Sequence, residues 1–155
     1  MDLASKYRII PIIESEDYAG AGKDGDSINM KNAHKATFIF NFGDITGNSI
    51  LKIYSGAAAG DKTTAVTFKY ALASADTGTD SSDVLGTAAT SAALTLTAAT
   101  YDHKMLIVEV NSTEMDLAND YEYLTVEIDA TANPMEVGVV AIVDPRYSGS
   151  ATFLA

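Results

Sequence analysis

Ala36-Thr37-Phe38-Ile39-Phe40-Asn41-Phe42 places Ala36, Phe38, Phe40 and Phe42 on one side of an extended chain and Thr37, Ile39 and Asn41 on the other. Successive side chains of a strand point to opposite faces, so this stretch reads as a half-buried β-strand. The same period of two recurs in AVTFKYAL (65–72), where Val66, Phe68, Tyr70 and Leu72 oppose Thr67 and Lys69. In YLTVEID (123–129), Leu124, Val126 and Ile128 alternate with Tyr123, Thr125, Glu127 and Asp129. SILKIYS (49–55), ALTLT (93–97) and KMLIVEV (104–110) behave alike, with Leu106, Val108 and Val110 inward in the last. Clusters rich in Gly, Asp, Ser and Thr separate these runs: GDITGN, SGAAAGDKTT, ADTGTDSSD and NSTEMDLAND. Such clusters are turn chemistry, and only NSTEMDLAND suggests a single helical turn. The expected fold is all-β, an antiparallel, jelly-roll-like β-sandwich.

Two runs break the alternation. EVGVVAIVD (136–144) is apolar on both faces, with Val140 and Ile142 opposite Val137, Val139 and Val143. One sandwich buries one face of each sheet, so Val140 and Ile142 are expected at a subunit interface, in a homotrimer rather than a dimer. YRIIPII (7–13) is also apolar on both sides, but Pro11 donates no ladder hydrogen bond, which suits an edge strand or an arm. The resulting division is an N-terminal arm over 1–33, a sandwich over 34–146 and a C-terminal tail over 147–155.

The 155 residues allow one sizeable core. Asp plus Glu number 21 against 10 Lys plus Arg, a net charge of −11. That field repels phosphate backbones, so no nucleic-acid partner is expected, and it favours solubility at high copy number. There is no cysteine, which removes disulfides and thiolate metal sites. No apolar run is long enough to span a bilayer, so no membrane partner is expected. The N-terminus lacks the pattern of a secretory signal, and synthesis in a cytoplasm without ordinary export is the expectation.

Candidate chemistry is sparse. In GAAAGDKTT, from Gly56, Asp61 stands where a phosphate-binding loop needs its second glycine, and a strand follows instead of a helix. In AGAGKDG, from Ala19, Asp24 stands where a magnesium-binding hydroxyl belongs. Both read as flexible loops. There is no G-x-S-x-G elbow. Asp24, Asp26, Asp76, Asp80 and Asp83 supply oxygen donors without the spacing of a calcium loop. The two histidines, His34 and His103, each precede a lysine and an apolar run, and the same three-strand order follows each of them. Two related sheets or half-sandwiches would produce that recurrence. Two imidazoles fall short of a zinc ligand set, so the histidines are read as opening equivalent strands. No catalytic residue, metal or cofactor is expected.

From Ile50 to Tyr147 the chain resembles a family of small virion proteins of tailed bacteriophages. The resemblance is carried by ILKIYSGAAAGDKTTAVTFKYALASADTG, VLGTAATSAALTLTAATYDHKMLIVEV and YEYLTVEIDATANPMEVGVVAIVDPRY, within a span of nearly two thirds of the sequence. It is weaker over 1–49. It implies a non-enzymatic structural protein on the virion surface, a decoration or cement protein whose partner is the major capsid protein. A decoration protein needs segments that lie across neighbouring subunits and bury apolar side chains there. The candidates are Tyr7, Ile9, Ile10, Ile12 and Ile13 in the arm, and Tyr147, Phe153 and Leu154 in the tail. The competing reading is a carbohydrate-binding sandwich with Tyr54, Tyr101, Tyr121 and Tyr123 as a stacking platform. An enzyme of cupin type would need a histidine cluster that the chain lacks.

Overall fold

The computed structural model describes residues 3, 6–18, 22–79, 83–129 and 135–147. Its strands are β1 (Arg8–Asp17), β2 (Lys23–Asp24), β3 (Ile28–Asn29), β4 (Ala33–Ile45), β5 (Ser49–Gly56), β6 (Thr64–Ala65) and β7 (Phe68–Leu72). After these come β8 (Ala89–Ser91), β9 (Leu94–Leu96), a single helical turn α1 (Ala98–Tyr101), β10 (Met105–Asn111), β11 (Tyr123–Ile128) and β12 (Met135–Pro145). NSTEMDLAND forms two 3-10 turns, Ser112–Glu114 and Leu117–Asn119.

All the pairings among the described residues are antiparallel. One sheet runs β1-β12-β4-β10-β7-β8; the other runs β2-β11-β5-β6, with β3 also on β11 and β9 also on β5. The alternation predicted for ATFIFNF holds: Ala36, Phe38 and Phe40 are fully buried and Phe42 nearly so. They meet Leu106, Val108 and Val110 of β10, and Val139, Ala141 and Val143 of β12, in one continuous core. Leu51, Ile53, Leu124, Val126 and Ile128 close that core from the second sheet. The fold is an all-β sandwich, as the periodicity implies.

The recurrence after the two histidines has a different cause from two separate half-sandwiches. β4 and β10 lie side by side in one sheet, with Phe38 opposite Val108. Their successors β5 and β11 lie side by side in the other, with Ile53 opposite Val126. The third members, β7 and β12, return to flank the β4–β10 pair. Each half therefore contributes to both sheets, and matching strands pair with each other or flank the same pair.

AVTFKYAL is two strands. Ala65 pairs with Tyr54 in the second sheet, whereas Phe68 pairs with Ser91 in the first. The chain crosses the core at Val66–Thr67, a corner of the kind by which sandwiches move a strand between layers.

The segment 1–33 is no free arm. β1 pairs with β12 from Arg8–Val143 to Asp17–Glu136, and β2 and β3 pair with β11. The first segment thus joins both sheets. Register shifts between Pro11 and Ile13, and again before Glu16, mark bulges. A bulge lets two consecutive side chains face the same way, so Ile12 and Ile13 are both buried, at 5% and 4% exposure. Ile10 is partly buried against the core. Ile12 and Ile13, expected as exposed contact residues, are therefore core side chains of the sandwich, and Ile10 is half-buried beside them. At the bulge β1 comes so close that a Cβ on Gly138 would sit 2.9 Å from the Ser15 Cβ, which accounts for the glycine.

Candidate functional site

The two outer faces of the sandwich differ in chemistry. On the second sheet, Asp24 lies opposite Glu127, and Glu127 opposite Lys52. Lys62, from the 57–63 loop, reaches over this row to Asp24 at 3.0 Å and Glu127 at 2.5 Å. Those bonds, first to Glu127 and then to Asp24, hold its ammonium charged well above the ordinary lysine range. The loop is also tied by the Gly60 amide, which donates to the Ser27 hydroxyl at 2.8 Å. Asp61 accepts from the Ala58 amide at 2.9 Å, so the carboxylate that spoils a phosphate loop caps its own turn. The expected flexible loop is instead fastened over a strand face.

On the same face, Lys52 donates to Asp129, just beyond the end of β11, at 2.6 Å. That bond is the main reason the Asp129 carboxyl lies below the ordinary carboxylate value. A carboxyl depressed on folding adds stability that is complete above its unfolded value and is lost as pH falls through the folded one. Asp129→Asn is therefore expected to lower the urea midpoint at pH 7 and to match wild type near pH 2. Paired denaturation curves at the two pH values check it; an equal deficit at both would assign the loss to packing.

The outer face of the first sheet carries an apolar row instead. Pro11 lies opposite Val140, Val140 opposite Ile39, Ile39 opposite Ile107, and Ile107 opposite Ala71, across five strands. In the next row Ile9 lies opposite Ile142. None of these side chains packs on the core, and Ile9 and Val140 are 42% and 36% exposed. Charge beside the row is balanced: Glu109 is paired with Lys35 at 2.7 Å and lies opposite Lys69. The row itself contains no charged residue.

The candidate contact residues sort onto this geometry. Ile9 of the arm and Val140 and Ile142 of β12, read separately from the sequence, belong to one surface because β1 pairs with β12. Tyr7, 36% exposed, precedes β1 directly. Tyr147 is 65% exposed just beyond β12. Phe153 and Leu154 lie outside the described residues. Sequence reasoning missed Ile39, Ile107 and Ala71; their alternation with core residues was visible, but not the register that aligns them.

The four tyrosines do not form a platform. Tyr101 is buried, its ring edge-on to Phe42 at 6.2 Å. Tyr121 lines a cavity of about 140 Å³ with Met30, Met115, Leu117 and Arg146. Tyr54 and Tyr123 share the second sheet's outer face as diagonal neighbours. In the small cavity, Arg146 donates to the Ala33 carbonyl at 3.2 Å and the Ser112 hydroxyl at 3.3 Å, so its guanidinium is engaged structurally. Among the described residues the acidic loops do not converge either. Asp83 accepts from Ser74 and Ala75, which depresses its carboxyl, while Asp24 belongs to Lys62. Asp80 lies outside the described residues.

His34 is the second residue of β4, and His103 stands two residues before β10, in a left-handed conformation with φ 53°. Among the described residues no helix is long and apolar enough to cross a membrane.

No protein-family model matches the chain, and no curated protein does. Among solved structures, the SPBc2 prophage-derived protein YomS is similar at 12% identity and a TM-score of 0.41, covering 88% of this chain and 92% of that one.

Proposed function

We propose that this protein is a non-enzymatic virion component that decorates and stabilises a tailed-phage capsid, acting as a homo-oligomer. The observation that carries the reading is the apolar row Pro11–Val140–Ile39–Ile107–Ala71. A solvated sheet face normally alternates to polar residues, as the second sheet's ion-paired face does. A continuous apolar row across five strands suits contact with protein. The occupant we assign to it is a second copy of this chain. At net −11, two copies repel over most of their surface, but this face is uncharged along its centre and balanced at its margin. The sequence resemblance over 50–147 supplies the phage context, and a threefold arrangement would suit an icosahedral shell. Tyr7, Tyr147 and the tail with Phe153 and Leu154 are then left for the major capsid protein.

Wild type is expected to sediment as a trimer and to co-sediment stoichiometrically with undecorated capsids of the encoding phage. Val140→Asp with Ile107→Asp is expected to weaken self-association by roughly tenfold or more, because charge replaces central apolar anchors. A monomeric wild type would remove the oligomer reading. Binding to glycans but not to capsids would replace decoration by the carbohydrate-binding alternative.

A further inference from the structure

The end of the first sheet gathers a set of metal-ligating side chains that plays no part in the apolar face. β4 and β12 lose register here: Met135 pairs with Ile45 and Val137 with Phe42, so Gly43 and Asp44 together face Glu136. The bulge re-aims Asp44 relative to a regular strand. Gly43 is required by it, because a Cβ there would collide with the Glu136 side chain. The loop before β10 folds against the same spot. His103 donates its backbone N–H to the Gly43 carbonyl at 3.0 Å and accepts from the Thr77 amide at 2.7 Å. These two bonds hold a non-glycine residue at φ 53° and so fix where its imidazole starts. Asp102 accepts the Ile45 amide on Oδ1 at 2.8 Å, leaving Oδ2 3.8 Å from His103 Nε2.

One donor atom each from Asp44, Asp102 and His103 lies within 4.8 Å of the others. Bonds of 2.0–2.2 Å to a tetrahedral ion place donors about 3.4 Å apart, so modest side-chain rotations close the set. Asp102, through Oδ2, faces the His103 imidazole, and neither Asp44 nor Asp102 forms an ion pair with Lys or Arg among the described residues.

We propose that His103, Asp102 and Asp44 bind one divalent transition-metal ion of the zinc class, with its remaining positions open to water. The imidazole selects against calcium and magnesium, which prefer all-oxygen sets. The Ile45 amide on Asp102 is the kind of outer contact that orients a metal ligand. Asp102 and His103 are neighbours in sequence, but Asp44 joins them only through the fold, at the β4–β12 bulge. The proposal is independent of the decoration reading.

The test is calorimetric titration of the full chain, freed of metal, with zinc chloride, alongside proton spectra of the imidazole rings. One saturable equivalent is expected, shifting the His103 ring resonances and sparing those of His34. His103→Gln and Asp44→Asn should each weaken binding by roughly ten- to a hundredfold, while His34→Gln leaves it unchanged. Absence of saturable binding up to about 1 mM zinc would overturn the proposal. So would unaltered affinity in His103→Gln, or movement of both histidines alike.

Discussion

A chain that begins at Ser27 is expected to fail to reach the native sandwich. The deletion removes β1 and β2, and with them Ile12 and Ile13 from the core. Burying each isoleucine stabilises by about 1.5–3 kcal/mol. The lost pair alone therefore approaches the 5–15 kcal/mol by which domains are typically stable. Further losses add to it. β12 loses its partner along the run from Val143 to Glu136 and becomes an apolar edge. Lys62 loses Asp24, and the Val126 carbonyl loses the Gly25 amide. Circular dichroism and urea denaturation of the truncated chain check this. A cooperative transition at the wild-type midpoint would show that β1 is dispensable and would restore the reading of 1–33 as an arm. Ile13→Asp provides a milder version: an unpaired carboxylate placed in the core should destabilise strongly without shortening the chain.

Phe40→Ala is the second large effect, expected to cost about 3–5 kcal/mol. Phe40 is fully buried and stacks on Phe42 with ring centres 6.0 Å apart. In register it lies between Val139 of β12 and Leu106 of β10. Strands hold those neighbours in place, so the surroundings have little freedom to close over the void, and the cost should fall toward the upper part of the range. Ile39→Ala, one residue earlier, removes a side chain from the opposite face and is expected to cost well under half as much in the isolated subunit. The urea midpoint should drop sharply for Phe40→Ala with an unchanged slope. Equal losses for the two variants would contradict the assignment of faces. A loss for Ile39→Ala that grows with protein concentration would support self-association through the apolar row.

Fold class, and the face on which most strand residues lie, follow from the residues alone. Period two in ATFIFNF, KMLIVEV and YLTVEID separates Phe38, Val108 and Val126 from Ile39, Ile107 and Thr125, because side-chain direction in a strand is local geometry. Even the exposed position of Val140 beside the buried Val139 follows from that rule. The tertiary structure decided what depends on partners. Pairing of β1 with β12 made Ile9 and Ile142 neighbours, and its bulge turned Ile12 and Ile13 inward together. Crossing at Val66–Thr67 split one apparent strand between two sheets. The bulge at Gly43–Asp44 brought Asp44 beside His103, far away in sequence. Alternation says which way a side chain points, but register, bulges and sheet choice are set by long-range packing of one strand against another. The candidate surfaces depend on those choices, which is why neither the apolar row nor the histidine–aspartate cluster could be read from local pattern.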